Sequence, residues 1–566
     1  MRRKLCFGVI LCLALAVLIG IGAPIAAAAL QFNVSISPGV SSTPLDGRLL
    51  VIVSTDYDGV YEPRLQANDG WVAWGPPFWG MDVNRMKPGV PVLFGGSGVD
   101  GASLASLDEL KPGKYYVQAL LNVYTTFHRA DGSVVKLHMP AGEGQNPFTT
   151  PGNLVSTPVR LNLNPAAGRT FTLQLDQVLP PLEMVPPGGT LQQGNPVDTK
   201  HVKHIKIKSA LLSRFWGRPI YIGANVLLPE GYDDPANRRV RYPVVWEQGH
   251  FTTEAPWGFS EGLDDEMGFS QWWVSDSAPR IIYATIRHEN PFYDDSYAVN
   301  SANLGPYGDA ITKELIPAVD NSFRIIKARW ARTTGGGSTG GWEAAAQMIF
   351  YPDLYAGAWM VSPDPLDFRG LELINIYDDP SAYYYDYPES LLAIPSFRDS
   401  ATGETLFTAE QESRWGLALG THGRSGLGAW DIYQAAFGPQ GSDGYPAPIW
   451  DRKTGVIDDD VARAWRPKDL SLYLQRHWDD VGPLVAGRMF FWCGTMDELF
   501  YDNPTRLFEG RTATFTRPQA HFSFEWGVGE GHGWMPMGPD GLIIDMAEYM
   551  AEQAPEGTDV SGWYKP

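Results

Sequence analysis

The sequence predicts an α/β fold with a mostly parallel central sheet, preceded by an all-β region of the sandwich type. Up to about residue 180 the chain contains short apolar strands separated by turn residues, whereas after about residue 200 such strands alternate with helical stretches. The chain has 566 residues, which is more than one hydrophobic core supports, so we expect more than one domain.

The N-terminal strands follow one another closely between Gly, Pro, Asn and Asp residues. They are the segments Phe32–Ser37, Leu49–Ser54, Tyr115–Tyr124, Val134–His138, Val159–Leu163 and Phe171–Leu175. Regular short strands with turn signals are typical of a β-sandwich, which we place at residues 30–180. Pro and Gly residues are then dense, and residues 181–200 are interpreted as a linker.

A second domain is expected at residues 201–556, where strands and helices alternate. The strand candidates include residues 201–208, 219–228, 242–246, 280–286, 325–333, 356–361, 488–493 and 521–527, and a helix is expected at 342–351. Such alternation favours a parallel sheet covered on both faces. The stretch from about 370 to 480 interrupts the pattern and is interpreted as an insertion, either a cap over a site or a surface elaboration.

The first 29 residues read as a secretory signal peptide. Arg2, Arg3 and Lys4 precede the apolar run Leu5–Gly22, and Ala26–Ala29 supplies small residues for cleavage. The run is about long enough to span a bilayer, so an uncleaved anchor is the alternative. We therefore expect a secreted protein, periplasmic or extracellular, with no stable membrane span once the signal is removed.

Charge and cysteine content exclude several classes of function. The formal net charge is −20, so the chain has no general attraction for nucleic acid. Removal of the signal peptide leaves Cys493 as the single cysteine, which lies in an apolar strand and is interpreted as a buried thiol. The sequence contains no Cys/His cluster with metal-ligand spacing and no phosphate-binding loop, so neither a metal nor a cofactor is expected.

The strongest chemical signal is the glycine-rich segment Gly335–Gly341. It contains a G-x-S-x-G motif formed by Gly336, Ser338 and Gly340, with an apolar strand before it and a helix after it. In that context the motif is a nucleophile elbow, a sharp strand-to-helix turn that exposes a reactive serine. The segment predicts an α/β-hydrolase fold with Ser338 as the nucleophile.

A serine nucleophile needs a base, which this fold places near the C-terminus after the last strand. His532 lies in a glycine-rich loop after a predicted strand, whereas the alternative His521 begins that strand. The acid should follow the penultimate strand, where Asp497 stands, with Glu498 and Asp502 as close alternatives. Asp364, which follows the strand after the nucleophile helix, is a further alternative.

Acyl transfer also requires an oxyanion hole of main-chain donors. One should be the N–H of Thr339, directly after the nucleophile. The other should come from the loop after an early strand, where Gln248, Gly249, His250 and Phe251 follow the apolar segment 242–246. We predict the N–H of His250, with that of Phe251 as the alternative.

Taken in order, these motifs resemble the putative-esterase family of α/β-hydrolases. The matching segments are Tyr242–Phe251, Glu314–Pro317, Gly336–Gly341, Asp497 and Gly531–Trp534. The family includes enterochelin, feruloyl and acetyl-xylan esterases, S-formylglutathione hydrolases and mycolyltransferases, and a leading β-sandwich is similar to the enterochelin-esterase arrangement. The chain carries Gln248-Gly249-His250 where the family more often has a His-Gly pair.

The resemblance implies a serine esterase that hydrolyses carboxylic esters through an acyl-enzyme on Ser338. The resemblance does not choose the ester, and the substrate expected is a small-molecule or polymer-linked ester of the carbohydrate-, aryl- or siderophore-linked kind. Two alternatives stay open: an acyltransferase of the mycolyltransferase type, and a catalytically inactive surface-binding protein.

Overall fold

The computed structural model of the chain describes residues 29–138, 146–180, 196–265 and 267–564. The predicted signal peptide lies outside the described residues, apart from its last position, and so does most of the predicted linker. Within the described ranges, no helix is long and apolar enough to cross a membrane.

The N-terminal region is rich in sheet, as predicted. Its strands are β1 (Gln31–Ile36), β2 (Leu45–Ser54), β3 (Phe78–Met86), β4 (Val92–Phe94), β5 (Asp100–Gly101), β6 (Gly113–His128), β7 (Val134–His138), β8 (Leu154–Val155), β9 (Val159–Leu163), β10 (Thr170–Leu175) and β11 (Gln177–Val178). One sheet has the order β10-β1-β4 and the other β11-β8-β6-β2-β3-β5, with β7 and β9 also paired to β6. Both sheets contribute buried side chains, such as Phe32 and Leu121, to one apolar core. Two short helices that the sequence did not predict, α1 (Pro63–Asp69) and α2 (Trp71–Trp74), follow β2.

The second region is built on an eight-stranded sheet. Its strands and the short strands between them are β12 (Val202–Ser209), β13 (Ile220–Leu227), β14 (Val244–Glu247), β15 (Ile282–Arg287), β16 (Asn300–Ser301), β17 (Gly305–Pro306), β18 (Arg332–Gly337), β19 (Ala358–Val361), β20 (Tyr384–Tyr385), β21 (Leu392–Ala393), β22 (Pro395–Arg398), β23 (Thr405–Thr408), β24 (Met489–Gly494) and β25 (Ser523–Gly527). The large sheet has the order β12-β13-β15-β14-β18-β19-β24-β25. It is mixed: neighbours are parallel from β15 to β25 and antiparallel along the β12-β13-β15 edge.

Helices cover both faces of this sheet. They are α3 (Ala210–Trp216), α4 (Phe269–Val274), α5 (Tyr307–Ala310), α6 (Ile316–Ser322), α7 (Thr339–Phe350), α8 (Ala409–Leu419), α9 (Ala429–Phe437), α10 (Asp459–Trp465), α11 (Leu470–Val485), α12 (Asp502–Thr512) and α13 (Pro539–Glu552). Helix α7 is buried from Thr339 to Ile349 and contacts β18, β19 and α11, so it is apolar around most of its circumference. Cys493 lies buried in β24.

The prediction of a strand at residues 325–333 was wrong for most of its length. Ile325 forms an isolated bridge with Tyr242, and Arg329–Ala331 forms a 3₁₀ turn. Strand β18 begins at Arg332 and continues through the glycines to Gly337. Glycine is a poor strand former, but pairing with β14 on one side and β19 on the other overrides that preference.

The stretch at 370–480 packs into the main core. The buried residues Trp430, Tyr433, Phe437, Trp450 and Trp465 belong to the same apolar cluster as the central sheet. Since these side chains are shared with the core, the stretch is more than a surface elaboration, and α9 brings Tyr433 to the carboxyl end of the sheet, as described below.

The sheet of the N-terminal region that contains β2, β3 and β6 contacts the stretch at 370–480. Arg48 on β2 is 1% exposed and donates to the carbonyls of Leu417 (2.8 Å) and Ala418 (3.0 Å) at the end of α8. Its guanidinium also pairs with Asp82 and Asp100. A Cβ at Gly80 would lie 1.9 Å from the Ala418 carbonyl oxygen, so a side chain there would prevent this approach.

Candidate active site

The turn between β18 and α7 carries Ser338 in a strained conformation. Its φ of 55° and ψ of −122° are rarely adopted by a residue with a side chain, and such strain is concentrated at functional sites. The Ser338 N–H donates to the Val361 carbonyl of β19 (2.8 Å), which pins the turn to the sheet. Cβ atoms at Gly336 and Gly340 would lie 2.7 and 2.2 Å from the Gln248 carbonyl oxygen, so both positions require glycine.

His532 and Asp497 meet at the carboxyl ends of β24 and β25. His532 Nδ1 lies 2.7 Å from Asp497 Oδ2, and the Asp497 side chain is fully buried. The second Asp497 oxygen accepts the N–H groups of Leu499 (3.0 Å) and Tyr501 (3.2 Å), which fixes the carboxylate. Burial alone would lower the pKa of His532, but the hydrogen bond and the charge of Asp497 outweigh it and raise that pKa. The alternative acid Glu498 instead accepts a hydrogen bond from the main-chain N–H of His532.

The Ser338 hydroxyl donates to Asp364 rather than to His532. Its Oγ lies 3.2 Å from Asp364 Oδ1, and the Asp364 side chain is buried. The other carboxylate oxygen, Oδ2, accepts three further hydroxyls, those of Tyr297, Thr339 and Tyr433. Burial raises the pKa of Asp364, and the hydroxyl of Tyr297 works in the opposite direction. Asp364 therefore contacts the predicted nucleophile directly and does not contact the predicted base.

The segment 248–251, which we call the oxyanion loop, packs on the first turn of α7. A Cβ at Gly340 would lie 3.2 Å from the Gly249 Cα, so the loop lies against the residues that follow Ser338. Gly249 has a φ of 152°, which favours glycine. The N–H of Thr339 and that of His250 thus belong to adjacent segments, as a two-donor oxyanion hole requires.

A buried histidine fixes the orientation of this loop. His288 Nδ1 accepts the N–H of Ser296 (3.0 Å), so the ring proton is on Nε2, which faces the Gly249 carbonyl at 3.2 Å. In a trans peptide the N–H of the next residue points opposite to that carbonyl. His288 thereby directs the His250 N–H away from itself. Burial lowers the pKa of His288 to about 4, so the ring is neutral at physiological pH.

The His250 side chain is held in an acidic cluster. Nδ1 lies 3.2 Å from Asp294 Oδ1 and 2.9 Å from Asp295 Oδ2, and these carboxylates raise its pKa well above the ordinary value, against the effect of burial. The three side chains place ligand atoms within 4.8 Å of one another, so they could also hold a metal ion. The sequence did not reveal this group, because Asp294 and Asp295 are more than 40 positions from His250.

A cavity of about 290 Å³ lies beside the predicted nucleophile and base. Its walls include Gly337, Gly533, Trp257, Met535 and Glu247. Glu247 is held at one oxygen by the Thr285 hydroxyl (2.6 Å), and burial raises its pKa to about 7. The cavity is therefore mainly apolar, with Glu247 as the carboxyl group in its wall.

Sequence reasoning missed several groups at the site. Asp364 was considered as a triad acid but not as a partner of Ser338, and His288 was not considered. His288 directly follows β15, and polar residues at the carboxyl ends of central strands are site candidates in open α/β sheets, so a signal was present. Tyr433 carried no signal, since it arrives from a helix of the insertion almost 100 positions after the nucleophile.

The sheet order, the strand-to-helix turn at Ser338 and the site at the carboxyl ends of the strands define a protein of the α/β-hydrolase-like class. Residues 219–480 match the family model described as "Putative esterase". This match confirms the resemblance found in the sequence. The match includes Ser338 and ends before Asp497 and His532. No curated protein gives a significant match to the chain.

Several solved structures resemble the chain at low identity. A ferulic acid esterase is 15% identical, with 59% of this chain and 92% of that chain covered and a TM-score of 0.35. A fluorophosphonate-binding serine hydrolase of Staphylococcus aureus is 13% identical, covering 62% and 99%, with a TM-score of 0.33. An S-formylglutathione hydrolase from Agrobacterium tumefaciens is 12% identical, covering 63% and 97%, also with a TM-score of 0.33. Similarity at this level identifies neither substrate nor mechanism.

Proposed function

We propose that the protein is a secreted serine esterase that hydrolyses carboxylic esters through an acyl-enzyme on Ser338. The observation that supports it most is the 2.7 Å contact between His532 Nδ1 and Asp497 Oδ2, together with a strained serine at a strand-to-helix turn. A carboxylate on Nδ1 fixes the tautomer in which Nε2 is free to accept a proton. The esterase family match is independent of this geometry, because it ends before both residues.

In the proposed reaction, the Ser338 hydroxyl turns from Asp364 to His532 Nε2 and attacks the ester carbonyl as His532 takes its proton. The N–H groups of Thr339 and His250 stabilise the oxyanion, each contributing about 3–4 kcal/mol to the transition state. His532 then protonates the departing alcohol. A water molecule, activated by His532, releases the acid and restores the serine.

The cavity beside the site favours an aryl ester among the classes implied by the sequence. A dry cavity of about 150 Å³ holds one benzene molecule. The 290 Å³ here is roughly twice that size, which suits a ring with a short side chain. Trp257 and Met535 in its walls are suited to an apolar ring.

A fluorophosphonate probe tests the proposed residues, because it reacts with activated serines. We expect labelling of the wild type, none in Ser338→Ala, and a rate at least about a thousandfold lower in His532→Ala. His521→Ala is the matched control, since His521 is the alternative histidine and lies exposed before β25; its labelling should equal the wild type. Asp497→Asn should slow labelling far more than Glu498→Gln. An unlabelled, folded wild type would overturn the proposal in favour of a surface-binding protein.

A further inference from the structure

Asp364 presents one carboxylate oxygen to the reacting serine. Oδ2 is occupied by the hydroxyls of Tyr297, Thr339 and Tyr433. Oδ1 receives the Ser338 hydroxyl at 3.2 Å, which is the one hydrogen bond it makes with the described part of the chain. All four partners are neutral hydroxyls, so the carboxylate charge is not cancelled by a direct cation.

The reaction removes the hydrogen from that bond. When Ser338 attacks, its proton passes to His532, and Oγ then carries an acyl group with no hydrogen to donate. Throughout the life of the acyl-enzyme, Asp364 Oδ1 faces the acyl group without the donor that it has in the resting state. A buried acceptor left without a donor is costly, and more so when it is charged.

The same carboxylate also lies next to the oxygen that reacts, because its Oδ1 is 3.2 Å from Ser338 Oγ. An uncompensated negative charge near that oxygen opposes the negative charge that develops in the transition state, because like charges repel at short distance in a partly buried site. The arrangement suits catalysis only if something in the bound state satisfies Oδ1. The leaving alcohol cannot do so in the acyl-enzyme, because it has departed by then.

The acyl group itself can reach Oδ1. A substituent on the carbon next to the ester carbonyl stays within about 3–4 Å of Oγ, since only three single bonds separate them. In the resting state Asp364 Oδ1 lies 3.2 Å from the same Oγ, and the turn of Ser338 toward His532 leaves the carboxylate beside the reacting serine. A donor on that carbon can therefore hydrogen-bond to Oδ1 in the acyl-enzyme when it is turned to the side of Oγ on which Asp364 lies.

We propose, on the basis of the proposed esterase function, that Asp364 selects acyl groups that carry a hydrogen-bond donor on the carbon next to the carbonyl. An ammonium is preferred over a hydroxyl, because it also neutralises the carboxylate. The substrate class is thus α-amino-acyl and α-hydroxy-acyl esters. Asp364 is a specificity-determining residue, and Tyr297 and Tyr433 orient its free oxygen.

Three methyl esters of nearly the same size and shape test this selection. They are alanine methyl ester, methyl lactate and methyl isobutyrate, which differ in having an α-ammonium, an α-hydroxyl or an α-methyl group. At pH 7 most of the alanine ester is protonated. We expect wild-type kcat/KM to fall in that order, with the ammonium ester about 10- to 100-fold above the isobutyrate. In Asp364→Asn the ratio of the two should collapse to within about threefold.

Each contrary result has a distinct meaning. Equal kcat/KM for the three esters in the wild type overturns the inference without any variant, so the test survives if Asp364→Asn does not fold. A preference that persists in a folded Asp364→Asn places the selection elsewhere and also overturns it. If Asp364→Asn loses kcat/KM equally on all three esters, the ratio between them is unchanged, Asp364 has a role unrelated to selectivity, and the inference is overturned. Fluorophosphonate labelling of the wild type is run in parallel, because its absence means that the esterase proposal has failed instead.

Discussion

Replacing Arg48 with methionine keeps the apolar stem of the side chain and removes its five N–H donors. In the structure these donors reach two main-chain carbonyls at the end of α8 and the carboxylates of Asp82 and Asp100. Removing one partner of a buried ion pair typically costs about 3–5 kcal/mol. Asp82 and Asp100 are 32% and 23% exposed and regain some hydration, so we expect the lower end, about 3 kcal/mol.

The effect should extend to the active site. Helix α8 leads through residues 420–428 into α9, which carries Tyr433, and the Tyr433 hydroxyl donates to Asp364 (3.1 Å). If α8 shifts on the sheet, Tyr433 loses its position and ester turnover falls. Ser338 itself lies in the turn that follows β18 and is hydrogen-bonded to β19 of the central sheet. Its labelling by a small fluorophosphonate should therefore be less affected.

Urea unfolding followed by tryptophan fluorescence measures the first effect, and kcat/KM on an aryl ester the second. Arg160→Met is the matched control, because Arg160 lies exposed on β9 in the same region, and surface changes of this kind stay within about 0.5 kcal/mol. Unfolding of Arg48→Met that is indistinguishable from Arg160→Met would refute the reasoning.

Three further outcomes are expected. Gly340→Ala should abolish esterase activity, since the new Cβ would lie 2.2 Å from a main-chain oxygen of the oxyanion loop. The control Gly510→Ala has open space around its Cβ and should leave activity unchanged. Activity in Gly340→Ala would contradict this expectation. His288→Phe keeps a ring but loses the hydrogen bond to the Gly249 carbonyl in the oxyanion loop, so kcat should fall about 10- to 100-fold with little change in KM. A change in KM alone would count against an orienting role for His288. Burial raises the pKa of Glu247 from 4.5 to about 7, so between those pH values the unfolded chain binds fewer protons than the folded protein, and stability falls as the pH rises. Glu247→Gln should remove this component of the pH dependence, which urea unfolding at pH 5 and 7.5 measures. Equal pH dependence in both proteins would contradict it.

The sequence carried enough information for the family and for the alternation of strands and helices. The elbow glycines were readable because close backbone approach tolerates no side chain, so their spacing is tied to the turn. His532 and Asp497 remain predicted roles, yet the structure places their side chains in contact, as expected for residues after the last two strands.

Contacts between distant segments were not readable. The mixed edge of the sheet arises because β13 pairs antiparallel both with β12, to which α3 connects it, and with β15, a choice that strand composition does not encode. The start of β18 was misplaced because Ile325 is apolar without belonging to the sheet. Asp364, Tyr297 and Tyr433 lie up to 136 positions apart in the sequence, and no local pattern links them.

The hydrogen bonds between Arg48 and α8 have a consequence for which parts of this sequence can change in evolution. Two of the Arg48 bonds go to main-chain oxygens, which every residue type provides, so these bonds do not depend on the side chains of α8, whereas the apolar packing of the helix rests on Trp415, Ala418 and Leu419. Mutations can therefore accumulate at the exposed positions of the insertion while Arg48 continues to hold α8. Laboratory evolution of new ester preferences should concentrate on residues 409–437 and leave β2 unaltered.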